Sequence, residues 1–394
     1  MVDTKRLAGL RDEVAIVGVG ETDYAEDYRR ARAGERYHDS YGYAAIAFAR
    51  ALADSGLQKS EIDGLIANSS SLAYERMAEI IGIEPRWACD TEAMGSITEA
   101  VLAICGGMAE TVALVYGLDQ RTAGLAYGGH GAVGADKFIS YSYFNPWGMT
   151  SQGAIYGLMM RRYMEQTGMT SADLGQVAVA ERQFAALNPN AVMRKPITIE
   201  DYLAAPFLAE PFRLLDYCLV NDGGVALIVC TTERAKALGR PFVTVSGLAR
   251  ADMNIDATAY RPRMTFYRPV HATASEAVYD MAGVGREDID VVGIYDSFSA
   301  HVIFALEGFG FAPYGEAAKF IREVGIGPGG GCPVNTYGGH LSGSYMQGWA
   351  HQAELVRQVR GDAGDRQVPN VRHGQYISDT NGKTVSVIFS RSEA

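Results

Sequence analysis

A chain of 394 residues, 48% hydrophobic and 21% charged, carries enough apolar side chains for two or three domains of ordinary size and excludes a disordered or fibrous protein. A formal charge of −11 spread along the chain argues against nucleic acid or an anionic membrane as the main partner. No stretch of about 18 residues is free of charges and turn-formers, and the start has no basic region followed by an apolar run. The expectation is therefore a cytoplasmic protein with no membrane span and no secretion signal.

Residues 14–22 (Val-Ala-Ile-Val-Gly-Val-Gly-Glu-Thr) read as a buried strand running into a glycine turn. Gly18 and Gly20 lack the third glycine of a dinucleotide fingerprint, so this is a strand end. Residues 40–53 place Tyr41, Ala44, Ala45, Phe48, Ala49 and Leu52 at helical spacing, and Gly56 closes the helix. A short acidic turn and the strand 64–67 follow. The same unit recurs far downstream: residues 51–67 align with residues 278–294, each reading helix, glycine stop, acidic turn, Ile-Asp and buried strand. A repeat at that distance means two similar α/β halves, with helices covering mixed sheets, and not a solenoid.

Between the halves, residues 90–107 open with Asp and Thr as capping residues and continue as a helix apolar on nearly every side (Ile97, Ala100, Val101, Ile104). Residues 112–118 are a further strand. From 121 to 216 the rhythm changes to interleaved Gly, Tyr, Met, Asn and Pro, which reads as an inserted cap. Within it, residues 129–137 look faintly like a phosphate loop but lack the Lys-Ser/Thr ending. Met159, Met160, Met164 and Met169 read as core or pocket wall. Asn221-Asp-Gly-Gly224 then turns into the strand 225–229.

The five cysteines show no metal or redox spacing and read as reduced, mostly buried thiols. His351 and Glu354 could share a helix face, as a solvated contact more readily than as a metal site; none is expected. Residues 327–348 hold eight glycines with two prolines, an Asn, a His and two tyrosines in a non-repeating order. Glycine at this density lets backbone approach a ligand closely. The loop feeds residues 349–360, whose Ala350, Ala353, Leu355, Val356 and Val359 have helical spacing. Free N–H groups at such a helix start suit an anion or a developing oxyanion.

Taken together, residues 14–22, the helix after Gly95, residues 215–229, Tyr295-Asp-Ser-Phe298 and residues 333–348 resemble the thiolase superfamily, specifically the sterol-carrier-protein-X-type thiolases and their lipid-transfer-protein relatives. The resemblance implies an α/β, thiolase-like fold of duplicated αβαβα-layered halves with mixed five-stranded sheets and an inserted loop domain. It divides the chain into an N-terminal half (1–120 and 216–240), an inserted region (121–215) and a C-terminal half (241–394).

Departures from the family's pattern carry the functional reading. Met94 stands where the family has its acylated cysteine, and a thioether cannot supply the thiolate that acyl transfer needs. Tyr295-Asp-Ser-Phe298 replaces His-Asp-Cys-Phe, His340-Leu-Ser-Gly-Ser-Tyr345 fills the place of Gly-His-Pro, and residues 378–382 offer no second cysteine. The pattern is similar to that of the steroid aldolases of bacterial sterol side-chain degradation. These cleave a hydroxylated steroid acyl-CoA into a ketosteroid and propionyl-CoA. That implies catalytic Tyr295 and Tyr345, with Met94, Gly339, His340 and Gly343 at the substrate. The backbone at 338–343 and the helix start at 94–96 are the candidate oxyanion donors. A free phenol ionises near pH 10, so a tyrosine base needs a neighbouring donor such as His340, a helix terminus or concerted transfer. The sequence does not fix which tyrosine is base; Tyr345 is the preferred one.

No cofactor is implied, because coenzyme A belongs to the substrate. The resemblance further implies a homodimer through the first half, burying the strand near residues 112–115, and a small OB-fold, zinc-ribbon protein that helps present the acyl-CoA. Two other functions remain open on sequence alone: an acyltransferase using a displaced cysteine (Cys89 or Cys332), and an inactive acyl-CoA-binding subunit.

Overall fold

The computed structural model describes residues 8–124, 145–147, 151–252, 267–380 and 383–392. The phosphate-loop-like residues 129–137 lie outside the described residues, as does much of the stretch 121–169.

Nine strands form one sheet: β1 (Val14–Glu21), β2 (Gly64–Asn68), β3 (Trp87–Thr91), β4 (Thr111–Asp119), β7 (Asp222–Thr231), β8 (Val243–Asp252), β9 (Val291–Ile294), β10 (His373–Thr380) and β11 (Lys383–Arg391). Their order is β3-β2-β4-β7-β1-β8-β11-β10-β9, while β5 (Phe207–Ala209) and β6 (Phe212–Arg213) make a separate hairpin. From one edge, β3, β2 and β4 run parallel and β7 and β1 then pair antiparallel. From the other edge, a parallel bridge at Val334 precedes parallel β9 and β10, and β11 and β8 then pair antiparallel. The two halves thus repeat one pairing scheme. The first half's five strands and the second half's four strands with the Val334 bridge are joined into one mixed sheet where β1 meets β8 at Ala15–Thr244 and Ile16–Val243.

The internal repeat is visible element by element. Helix Ser40–Ser55 ends on left-handed Gly56 and leads through the short turn Lys59–Glu61 to β2. Helix Arg268–Ala282 ends on left-handed Gly283 and leads through Arg286–Asp288 to β9.

Side chains alternate across the sheet, and both faces are covered. On one face, Ile16, Leu114, Leu227, Val387 and Phe389 pack with the central helices Ala93–Cys105 and Trp349–Arg360. On the other, Ala15, Val17, Ala113 and Ile228 meet Ser40–Ser55, and Ala249, Ala251 and Ile388 meet Arg268–Ala282. Gly20 serves this packing: a Cβ there would lie 2.1 Å from the Ala47 carbonyl oxygen.

Two sequence expectations change. Asp90 and Thr91 belong to β3, whose parallel pairing with β2 outweighs their capping character, and the helix starts at Ala93. The stretch read as an irregular cap contains the helices Gln152–Thr167, Ser171–Leu187 and Ile199–Ala204. Thr170 and Asp173 start the second of these with a reciprocal capping box. No helix among the described residues is long and apolar enough to cross a membrane.

Candidate active site

β9 ends at Ile294 and delivers Tyr295, Asp296 and Ser297 to the start of helix Ser299–Gly308. The glycine-rich loop is fastened beside it by Asn335, which adopts a left-handed conformation (φ 53°). The Asn335 amide accepts from Ile294 N at 2.7 Å and donates to Ile294 O at 2.9 Å. The loop is no solvated excursion, for residues 332–346 are buried throughout. It makes a wide helical turn over Gly339–Gly343, and Gly348 then opens helix Trp349–Arg360.

This arrangement brings the Tyr295 and Tyr345 hydroxyls within 3.4 Å of each other, with the two residues only 8% and 6% exposed. Asn221, the first residue of the Asn-Asp-Gly-Gly motif, accepts from Tyr345 N at 2.8 Å and donates to Ser344 Oγ at 2.9 Å. The His340 ring lies against both tyrosines, its centroid 4.9 Å from that of Tyr295 and 4.8 Å from that of Tyr345.

His340 does not donate to a phenol. Its Nε2 accepts from Gly348 N at 3.0 Å, so the ring proton sits on Nδ1, 3.4 Å from Asp296 Oδ1. Burial, reinforced by His351, lowers its pKa well below the usual histidine range and keeps it neutral. Nor are most of the turn's amides available as oxyanion donors. His340 N and Leu341 N donate to Asp296, while Ser342 N and Gly343 N donate to Gly338 O.

Asp296 is the hub of the site. Besides those amides it accepts from His351 Nε2 at 2.8 Å, and His351 Nδ1 faces the Tyr337 hydroxyl at 3.3 Å. Burial opposes ionisation of Asp296, yet His340 and the His351 hydrogen bond outweigh it and hold its pKa below the ordinary value. Behind it, Glu181 accepts from Asn335 Nδ2 at 2.8 Å. Sequence reading missed Glu181, although one signal was present: it interrupts the apolar stripe Val177, Ala178, Phe184, Ala185 of its helix. His351 and Glu354 are both buried, not solvated, and have different partners, Asp296 and Arg366.

Ligand atoms of Asp296, His340 and His351 lie within 4.8 Å of one another. They do not fit a metal site. A cation on His340 Nδ1 would place the ring proton on Nε2, against the Gly348 N–H that Nε2 now accepts, and His351 Nε2 is committed to Asp296.

The thiols are poorly suited to nucleophilic work. Cys218, in the segment whose amide bonds Ser297 O, is pushed up to about 12 by burial and by Asp296. Burial pushes Cys89 up to about 11 and Cys332 up to about 12. Met94, in the first turn of its helix, is half-buried against the core that holds Tyr345, Met346 and Trp349. Gln352 ties the two central helices together at that end by donating to Ala93 O at 3.0 Å. A cavity of about 510 Å³ is lined by Tyr337, Glu21, Arg50, Asn190 and Arg357 among others, and includes neither tyrosine of the pair.

The family described as Thiolase C-terminal domain-like matches residues 253–390. Over 88% of its length the chain is 34% identical to a steroid side-chain-cleaving aldolase of Thermomonospora curvata, covering 90% of that protein. It is 32% identical to a 17-hydroxy-3-oxo-4-pregnene-20-carboxyl-CoA lyase of Mycobacterium tuberculosis, over 96% of this chain and 100% of the other. Among solved structures, an Ltp2-ChsH2(DUF35) aldolase superposes with a TM-score of 0.87 at 30% identity, over 98% of this chain and 99% of that one.

Proposed function

The chain belongs to the thiolase-like steroid side-chain-cleaving aldolases, and on that premise we propose that it is a retro-aldolase acting on a β-hydroxy steroid acyl-CoA of the 17-hydroxy steroid carboxyl-CoA type. The products are a 17-ketosteroid and propionyl-CoA. The observation that carries this reading is the buried contact of the Tyr295 and Tyr345 hydroxyls, beside thiols whose pKa values are raised.

Retro-aldol cleavage moves one proton from the substrate hydroxyl to the carbon α to the thioester, so it needs no net proton from solvent. Tyr345 takes the hydroxyl proton as the carbon–carbon bond breaks and its electron pair passes into the thioester as an enolate. Tyr345 hands its own proton across the 3.4 Å contact to Tyr295, and Tyr295 delivers one to the α-carbon. In this relay both phenols are neutral before and after, which removes the difficulty of forming a free phenolate near neutral pH. His340 fixes the ring spacing. With the amides of Gly338, residues 340–343 and Gly95 engaged elsewhere, the remaining oxyanion candidates are Gly339 N and the other N–H groups at the start of helix Ala93–Cys105. Gly339, His340 and Gly343 shape the wall through their backbone.

We assign residues 121–215 to an inserted cap region, between the halves 1–120 with 216–240 and 241–394. The reaction is written without a cofactor, in the cytoplasm. A DUF35-type partner is proposed by analogy with the Ltp2-ChsH2(DUF35) aldolase and from the expectation of a small acyl-CoA-presenting protein.

The test is product analysis. Incubated with a 17-hydroxy steroid carboxyl-CoA, alone and with a DUF35-type partner, the enzyme should release ketosteroid and propionyl-CoA in equal amounts. Tight binding of the thioester with no ketosteroid under either condition would point to an inactive binding subunit instead.

A further inference from the structure

We propose that Glu181 and Asp296 share a single proton, and that this carboxyl pair is the positioning element that holds the His340 turn against the two tyrosines. Its second half rests on the retro-aldolase reading; its first half does not.

Helix Ser171–Leu187 presses the Glu181 carboxyl against the turn from one side, and the segment after β9 presses Asp296 from the other. Both side chains are fully buried. Their facing oxygens converge on one point: a Cβ placed on Gly339 would lie 2.3 Å from Glu181 Oε2 and 2.4 Å from Asp296 Oδ2. Gly339 has φ +59° and no side chain, so the two carboxyls meet across it.

The donors in reach decide the proton count. Asp296 already collects His340 N, Leu341 N and His351 Nε2. Glu181 Oε1 collects Asn335 Nδ2, but Oε2 makes no well-formed hydrogen bond, because the one amide close to it, Leu341 N, donates to Asp296 Oδ2. With both carboxyls ionised, Oε2 would be a bare buried charge beside another. A proton on Oε2 gives it Asp296 as acceptor and leaves the pair with one negative charge. Burial, the Asp296 charge and this hydrogen bond all move Glu181 well above the ordinary carboxyl range. The other titratable groups facing it are His340, His351 and Tyr337. Arg182, next on its own helix, turns away to Ser342 Oγ and Lys195 O.

Gln at 181 reproduces a protonated Glu, with one donor for Asp296 and one acceptor for Asn335. Asn at 296 aims an NH₂ group at existing donors in either orientation. The experiment compares Glu181→Gln and Asp296→Asn in two readouts. The first is melting temperature against pH without substrate. An unfolded Glu gives up its proton above about pH 4.3 while the folded one keeps it, so the wild type loses stability relative to Glu181→Gln as pH rises. The melting-temperature advantage of Glu181→Gln should therefore grow from about pH 5 to about pH 9. A constant difference, or failure of Glu181→Gln to fold, refutes the shared proton. The second is turnover: Glu181→Gln should keep kcat within about threefold, and Asp296→Asn should lose about 100-fold, the scale of a misplacement of roughly 1 Å. A loss of about 100-fold in Glu181→Gln with native stability would make the carboxyl itself a chemical participant and overturn the positioning role. If the wild type shows no retro-aldol activity, the melting curves still decide the pair, and only the functional reading fails.

Discussion

Replacing Tyr295 or Tyr345 with phenylalanine removes one hydroxyl from a 3.4 Å contact and leaves a buried ring in place. Each variant should melt close to the wild type yet turn over roughly 10²–10⁴-fold more slowly, the usual worth of a positioned acid or base. The double variant should lose less than the product of the two, because both groups serve one proton relay. Met94→Ala and Cys89→Ala should keep most of the activity, since neither side chain is asked to react. The reverse pattern in steady-state kinetics, with the tyrosine variants active and a cysteine variant dead, would contradict the scheme. At this scale the sequence was partly legible. The two tyrosines stood at motif positions and could be named from the sequence. Glu181 could not, because what gives it meaning is a contact with Asn335, 154 residues away, and a shared space with Asp296. The engagement of the turn's amides was equally hidden: glycine spacing shows that backbone can come close to something, not what it approaches.

Gly339 shows how one element sets the site. Its φ of +59° alone makes alanine costly, by roughly 1–2 kcal/mol. The Cβ would also strike Glu181 and Asp296, so Gly339→Ala should cost more than that and abolish turnover. Gly361→Ala is the control, with φ +86° and nothing within 4 Å; it should show only the conformational cost and remain active. Urea denaturation compares the two, and equal losses would mean the turn is not crowded by the carboxyl pair. Helix Trp349–Arg360 was readable at both ends, because its apolar spacing and flanking glycines are local properties. β3 was not: Asp90 and Thr91 look like helix caps, and only pairing with β2 makes them strand.

The nine-stranded sheet constrains how two copies can meet. β4 was expected to supply a dimer interface, but it lies between β2 and β7 with every residue buried, so residues 112–115 cannot face a partner. β3 ends the sheet, and its residues are mostly half-buried. We predict a homodimer that pairs β3 with its copy across a two-fold axis. Sedimentation should give twice the chain mass of 42.5 kDa at micromolar concentration, and a monomer would contradict it. The duplication itself was legible as the repeat of residues 51–67 at 278–294, whereas the β1–β8 junction that fuses the halves involves two residue pairs and left no sequence mark. The central claim is carbon–carbon cleavage on two phenols with no acyl-enzyme. It is tested most directly by the intact mass of the protein, quenched with acid while it turns over a 17-hydroxy steroid carboxyl-CoA. The predicted result is an unshifted mass while ketosteroid and propionyl-CoA accumulate together. An acyl adduct that forms and decays at the rate of turnover, mapped to Cys89, Cys218 or Cys332, would contradict it.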